Sequence, residues 1–389
     1  MTQSDCSIPK EVLERLSADG FEALPEAIRL LLNLAMALER QQHLNAAPYE
    51  RSEERSEERQ AHANGFKEKT LQTRVGKLTV AVPQVREGGF YPKSLEKGLR
   101  SERALKLALA EMYVQGVSTR KVAAITEELC GFEVTSSQVS RATAELDAVF
   151  AAWRARPLGK FPYVSLDARY EKVRVDGQVR DAAVFTAVGV DFLGHRQVLG
   201  VSVALSEAEV HWRAFLQSLQ QRGLSGVQLI TSDDHAGLKA ARVAVFGGIP
   251  WQRCQCHLQR NAQSYIPKQS LKAEVAADLR AVFNASNRAD AEEQHRKVVA
   301  KYATTAPKLS EWIETNVPEG LSIFALPSAH QRLLRTTNGV ERAINQEIKR
   351  RTQVVRVFPN EASCLRLVTA VVMEISEEWE TGKAYLTFS

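Results

Sequence analysis

Residues 163–203 read YVSLDARYEKVRVDGQVRDAAVFTAVGVDFLGHRQVLGVSV. The β-branched, aromatic and small apolar residues fall in four runs: Tyr163 to Ala168, Glu171 to Val175, Ala182 to Val190 and Gln197 to Val203. Asp176-Gly177 and Leu193-Gly194 separate them, and such pairs tolerate the positive φ that tight hairpin turns demand. The runs are therefore predicted to be antiparallel strands. Ser206 to Gln221 follows with helical apolar spacing, and Val227 to Thr231 is a short buried-strand run that ends in Ser232-Asp233-Asp234-His235. Three strands, a helix and a further strand predict an α/β core. Asp167 and Asp233 are each expected at the end of a β-run, where a sheet edge presents side chains rather than burying them.

Upstream of this core the pattern is mainly helical. From Pro9 to Gln42, Leu13, Leu16, Phe21, Leu24, Ile28, Leu31, Leu32 and Met36 recur at helical spacing and predict one or two amphipathic helices. The segment Arg51 to Gln60, RSEERSEERQ, has mixed charge and no apolar face, so a solvated connector is expected. Thr70 to Pro83 alternates about Gly76-Lys77 and predicts a hairpin, made basic by Arg74, Lys77, Arg86, Lys93 and Lys97. Ser101 to Phe150 reads as successive helices broken at Gly116 and Gly131, a spacing that suits a helix-turn-helix. Thr135 or Ser136 would cap its third helix. Ser137, Gln138 and Arg141 would then lie on the first turns, the part of such a helix that enters a DNA major groove.

Beyond Cys256 helical spacing continues to about Pro318. A final helical block opens near Thr337, carries Glu341 and Lys349-Arg350-Arg351, and is followed by an apolar helix from Leu365 to Trp379. The expected division is 1–98 for the first helices, linker and hairpin, and 99–156 for the helix-turn-helix. The α/β core would occupy 157–257 and 331–389, with an all-α insertion at 258–330.

At 389 residues, with 44% hydrophobic and 25% charged, the chain can bury two or three domain cores. The most apolar early stretch, Ala27 to Leu38, is too short to span a bilayer, so neither a membrane segment nor a signal peptide is expected. Five irregularly spaced cysteines argue against a disulfide framework and for a reducing cytoplasm. A net charge of +5 is compatible with a polyanionic partner without demanding one.

Two strand-end aspartates and a helical glutamate, Glu341, offer the hard oxygen ligands that two-metal phosphoryl chemistry needs. Each acid alone has an ordinary explanation as a turn or first-turn residue. The cations Arg342, Lys349, Arg350, Arg351 and Arg356 beside the third acid favour a phosphate-holding role instead.

The blocks SLDARYEKVR (165–174), LITSDDHAGLKAA (229–241), WQRCQCHLQRN (251–261) and TTNGVERAINQEIKRRT (336–352) occur in that order. RVFPNEASCLRLV (356–368) and MEISEEWETGK (373–383) follow them, and GVSTRKVA and VTSSQVSRAT precede them. Taken together, the chain resembles the bacterial Mutator-like insertion-sequence transposases. The resemblance implies an RNase H-like Asp-Asp-Glu enzyme whose acids are Asp167, Asp233 and Glu341, holding Mg²⁺ or Mn²⁺, two ions in all. It implies double-stranded DNA as partner, at the element ends and at the target. It also implies a homodimer or larger synaptic complex, acting in the bacterial cytoplasm on the nucleoid.

Asp234 and Glu347 are the competing acids. The family's Cys-x-x-His element is matched by Cys254 and His257. A zinc site there would lack a second ligand pair at finger spacing, so a place on the active-site floor or a contact to DNA is expected. His235 is a further neighbour of the site, and Trp251, Arg253 and Arg260 suit stacking or phosphate contact. An RNase H-like nuclease or resolvase, and a helix-turn-helix regulator without catalysis, are the rival readings.

Overall fold

The computed structural model describes residues 10–45, 61–86, 89–98 and 100–388, so the charged RSEE segment lies outside the described residues. The chain forms two compact units that divide between Glu145 and Leu146.

In the first unit, α1 (Lys10–Asp19) and α2 (Leu24–Leu44) precede a hairpin of β1 (Ala63–Thr73) and β2 (Gly76–Val85). Met36 from α2 packs on Leu78, Val80 and Val82 from β2, the inward face of an alternating strand. The hairpin turns at Arg74-Val75 rather than at Gly76-Lys77, because Thr73 pairs with Gly76 and its hydroxyl closes the turn on Gly76 O at 2.8 Å. Three helices follow, α3 (Arg103–Val114), α4 (Thr119–Cys130) and α5 (Ser136–Ala144). Leu105, Leu109, Val122, Phe132, Val134 and Val139 form their shared core. Gly131 ends α4 at a φ of 67°, and Thr135 and Gln138 start α5 with a reciprocal capping box, a device that stabilises a helix start by about 1 kcal/mol.

The second unit begins with α6 (Asp147–Ala155), which is bound to the C-terminal helix: Arg366 pairs with Asp147, and Arg154 donates to Thr369. Next come β3 (Tyr163–Val175), β4 (Gln178–Val190), β5 (Arg196–Ala204), α7 (Glu209–Gln221), β6 (Leu229–Ser232), α8 (Ala236–Phe246) and β7 (Trp251–Arg253). They form one mixed sheet in the order β5-β4-β3-β6-β7. β3, β4 and β5 are antiparallel, whereas β3, β6 and β7 run parallel. β3 runs unbroken through Arg169 and Tyr170, which pair with Val184 and Ala183, so the two predicted runs are one strand.

Helices cover both faces of this sheet, which is why Ala182 to Val190 is buried throughout. On one face Val164, Leu166, Ala183, Phe185 and Ala187 pack against Trp212, Leu216 and Leu219 of α7 and Leu238 of α8. The opposite face is covered by the chain's last helices.

The outer edge of β5 is capped by side chains: Ser376 Oγ accepts from Val198 N, and Arg156 and Arg222 donate to the carbonyls of Val198 and Leu199. β7 has only three residues. The side of β3 beyond its β6 partners is met by Phe358, whose N–H donates to Lys172 O and whose carbonyl accepts from Arg174 N.

After β7 the chain builds a separate helical core from α9 (Gln255–Ala262), α10 (Lys272–Phe283), α11 (Arg288–Tyr302) and α12 (Pro307–Asn316). Leu258, Val275, Leu279, Phe283, Tyr302 and Ile313 fill it. The chain then returns through α13 (Ser328–Leu334) and α14 (Asn338–Val340). A π-helical turn (Glu341–Asn345) leads into α15 (Gln346–Val355), and α16 (Glu361–Thr381) completes the fold. Among the described residues no helix is long and apolar enough to cross a membrane.

Candidate active site

Strand parity and register place the two aspartates. The parallel ladder pairs Tyr163 with Leu229, Val164 with Ile230 and Ser165 with Thr231. Two residues further on, Asp167 shares the face of Ser165, and Asp233, directly after the end of β6, is near enough for its charge to act on it. The Asp167 face is the one opposite Val164, Leu166 and Ile230, which are committed to the α7/α8 core. Asp167 is thus not at the end of its strand, as the sequence had led us to expect. It lies well inside β3, at the point where β6 stops and the strand loses its neighbour.

The third acid reaches this edge because the segment before it is stitched to β6 and to the start of α9. Thr231 Oγ1 donates to Leu334 O at 2.9 Å, Cys254 N donates to Ser232 O at 2.7 Å, and Gln255 N donates to Arg335 O at 3.1 Å. Cys254 Sγ accepts from both Thr337 N and Thr337 Oγ1 at 3.4 Å, and Asn338 Nδ2 donates to Cys256 Sγ at 3.0 Å. Glu341 opens the π-helical turn with Oε1 3.2 Å from His257 Nε2. The turn's last residue, Asn345, donates from Nδ2 to Asp167 Oδ2 at 2.5 Å. Its carbonyl accepts from the guanidinium of Arg169, which also pairs with Glu171 at 2.6 Å. A π-turn exposes backbone groups that an α-helix would use internally, and Arg169 satisfies this one.

Burial raises the Asp167 carboxyl to about 7; the Asn345 hydrogen bond opposes that rise, and Glu341 and Asp233 add to it. The hydrogen bond and charge of Cys254 raise the imidazole of His257, with Glu341 and Asp233 contributing further. Cys254 is itself held well below the usual thiol range by hydrogen bonds from Cys256, His257 and Thr337. As placed, Asp167 is engaged by Asn345 and Glu341 by His257. Among the described residues no group of three or more acids, histidines or cysteines converges closely enough to hold a metal ion.

The two competing acids are committed elsewhere. Asp234 Oδ2 lies 2.9 Å from Arg253 Nη1, and its other oxygen lies 3.3 Å from Lys239 Nζ. Both cations also bind Glu319, at 2.9 and 2.6 Å, which fastens the helical insertion to the end of the sheet. Glu347 is clamped by Arg350 and Arg351, and the hydrogen bond from Arg350 is the main reason its carboxyl falls to about 2. His235 precedes α8, with Nδ1 3.5 Å from Glu207 Oε2.

Arg260, Arg342, Lys349 and Arg350 are exposed. Arg351 corrects the expectation of a phosphate contact: it is buried, and its guanidinium is divided between Glu347 and Glu374. In the first unit Ser137 and Arg141 are exposed, whereas the Gln138 side chain is taken up by the α5 cap and by Gln72 Oε1, 3.0 Å away.

A family model described as "Transposase, Mutator family" matches residues 2–382. The chain belongs to the Mutator family of transposases. This transposase is 54% identical to the transposase for insertion sequence element IS406 of Burkholderia multivorans, over 96% of each chain. It is 42% identical to the transposase for ISRM5 of Rhizobium meliloti, over 99% of this chain and 96% of that protein. It is 36% identical to the transposase for IS256 in transposon Tn4001 of Staphylococcus aureus, over 92% and 91%. Among solved structures, a chain of a simian T-cell lymphotropic virus intasome aligns with 51% of this transposase and 68% of its own length. It does so at 12% identity and a TM-score of 0.19, too little overlap to bear on the fold.

Arg253, expected to contact phosphate, is instead buried against Asp234 and Glu319, and the π-turn partners Asn345 and Arg169 were not singled out from the sequence. Two signals were present in it. Arg169 is two residues beyond Asp167 on a strand and so shares its face, and Asn345 is four beyond Glu341 on a helix.

Proposed function

We propose that this transposase binds the terminal inverted repeats of its insertion sequence and catalyses metal-dependent DNA strand cleavage and strand transfer there. Asp167, Asp233 and Glu341 act as its catalytic acids in an RNase H-like core. One observation carries the reading: the β3/β6 pairing brings Asp233 near Asp167, and Glu341 is near enough for its charge to act there too. A five-stranded sheet with three antiparallel and two parallel additions, helices on both faces and an acid on the central strand supports the RNase H-like assignment. In it, 157–257 and 331–389 form the core and 258–330 an insertion.

The donor set fits divalent cations. It offers hard carboxylate oxygens, and the Asp167 carboxyl, raised chiefly by burial and further by the charges of Glu341 and Asp233, has the neutral Asn345 amide bonded to it. Asp167, Asp233 and Glu341 would hold Mg²⁺ or Mn²⁺, two ions. When bound, such ions polarise the scissile phosphate and activate water or a 3′-hydroxyl at neutral pH.

The chain's own residues do the rest. β3 fixes Asp167 rigidly, Asn345 orients its carboxylate, and His257 orients that of Glu341. Arg260, Arg342, Lys349 and Arg350 supply exposed positive charge for DNA phosphates. Helices α3 to α5 act as a helix-turn-helix, with Ser137 and Arg141 toward the DNA. Pairing two element ends requires two protomers or more, working in the bacterial cytoplasm on the nucleoid.

The deciding experiment is a cleavage assay on duplexes spanning the element ends, with and without Mg²⁺, comparing wild type with Asp233→Asn. Mg²⁺-dependent cutting at the ends, lost in the variant, is expected. Cutting of any duplex would favour a general nuclease, and binding without cutting a regulator.

A further inference from the structure

The hairpin and helix α5 of the first unit are joined through one residue. Gln72, on β1, accepts from Gln138 Nε2 of α5 at 3.0 Å and from Ser101 Oγ at 3.3 Å. Its backbone N–H donates to Arg100 O at 2.9 Å, and its carbonyl accepts from Glu102 N at 2.7 Å. The neighbouring turn is held by the same segment, since Arg74 N donates to Glu102 Oε2 at 2.9 Å and the two side chains pair at 3.1 Å. Lys77, just past the turn, extends its ammonium over the Phe132 ring at 5.6 Å, and Phe132 belongs to the α3–α5 core. The hairpin is thus bonded to the helices at both its strand and its turn.

Between hairpin and helix lies an open cleft of about 500 Å³. Its charged lining is Lys77, Arg100, Lys106, Arg141 and Glu145. Glu145 pairs with Lys106 at 2.6 Å. Among the described residues no carboxylate lies within ion-pair distance of Lys77, Arg100 or Arg141, which are exposed. Three uncompensated cations around one concave opening form a site for a polyanion.

We propose that the β1–β2 hairpin and α5 form a single DNA-binding face whose basic cleft, lined by Lys77, Arg100 and Arg141, seats on the phosphate backbone of duplex DNA. This rests on the reading that α5 contacts DNA, and it assigns the hairpin and Arg100 a role that reading does not. Gln72 acts as the positioning residue, because its contact fixes the hairpin's register against the helix.

The test is fluorescence anisotropy of the full chain on two labelled duplexes, one carrying the element end and one of scrambled sequence, across a salt series. Lys77→Gln and Arg100→Gln should each weaken binding to both duplexes about threefold to tenfold and lower the salt slope by about one, as expected for one lost phosphate contact. Gln72→Leu should mainly reduce the preference for the element end. Wild-type affinity and slope in both Lys77→Gln and Arg100→Gln, with weakened binding in Arg141→Gln, would overturn the composite face and leave α5 as the reader. Wild-type binding in Arg141→Gln and Ser137→Ala as well would overturn the underlying reading.

Discussion

The side-chain amide of Asn345 donates to Asp167 Oδ2, so the strand that bears the first acid is bonded to the same helical turn that bears Glu341. Arg169 holds the other end of that linkage by occupying the Asn345 carbonyl. The position of Glu341 relative to the sheet therefore depends on a residue that carries no charge. Asn345→Ala should lower strand cleavage about tenfold to a hundredfold, the usual cost of losing a group that orients a metal ligand. DNA affinity should stay at the wild-type value and the Mg²⁺ requirement should rise. A cleavage rate that does not change across an Mg²⁺ titration would show that the contact has no such role.

Asp167 sets function against stability. Its carboxyl titrates near 7 in the fold, chiefly through burial, against about 4 in an unfolded chain. Because the folded value is the higher one, the contribution of Asp167 to stability is greatest below about pH 4 and declines as pH rises through 7, by roughly 1.4 kcal/mol per unit of separation. Asp167→Asn removes that penalty and keeps an acceptor for Asn345. In EDTA at pH 8 its Tm should exceed wild type by on the order of 5 °C, while cleavage is abolished. A lower Tm in that buffer would contradict the buried-charge account.

Glu341 and Glu347 should separate cleanly. Glu341→Gln should abolish cleavage with DNA binding intact, whereas Glu347→Gln should retain cleavage and lose about 1–2 kcal/mol of stability, as expected for a partly buried pair with Arg351. The Glu347 carboxyl is depressed to about 2 by Arg350 and Arg351, below its unfolded value. Its contribution is thus complete above about pH 4.5 and lost as pH falls toward 2. Melting curves of wild type and Glu347→Gln should converge over that interval, and a gap that persists at pH 2 would disprove the assignment.

Arg253 is buried at 2% exposure between Asp234, Glu319 and Asn316. Removing it leaves Asp234 and Glu319 with the half-buried Lys239 as their one remaining shared cation, and losing a buried partner costs about 3 kcal/mol or more in comparable clusters. Arg253→Met should therefore unfold at markedly lower denaturant, and Glu319→Gln by a smaller margin. An unchanged unfolding midpoint in Arg253→Met would mean that the insertion is held by packing alone.

Much of the mixed α/β fold was legible because its signals are local. The Asp176-Gly177 turn, the buried run Ala182 to Val190 and the Thr135 cap each follow from one or a few residues. The placement of Asp167 was misjudged because Arg169 and Tyr170 interrupt the apolar pattern, and only pairing with β4 shows that the strand continues. β7 escaped notice since Trp251 to Arg253 is too short to show a period. The pairing of Asp234 with Arg253 and Glu319 spans distant segments, and such contacts leave no mark at any fixed spacing. The role of the Cys254–His257 segment as the dock for the segment preceding Glu341 was hidden for the same reason.

The treatment of the sheet's margins limits how the chain can meet another copy of itself. Ser376, Arg156 and Arg222 consume backbone groups along β5, β7 is three residues long, and Phe358 closes the far stretch of β3. An uncovered strand would invite edge-to-edge aggregation between copies. With these borders sealed, no continuous ribbon can be extended from one core to the next. Any contact between copies of this core falls to its helices and loops.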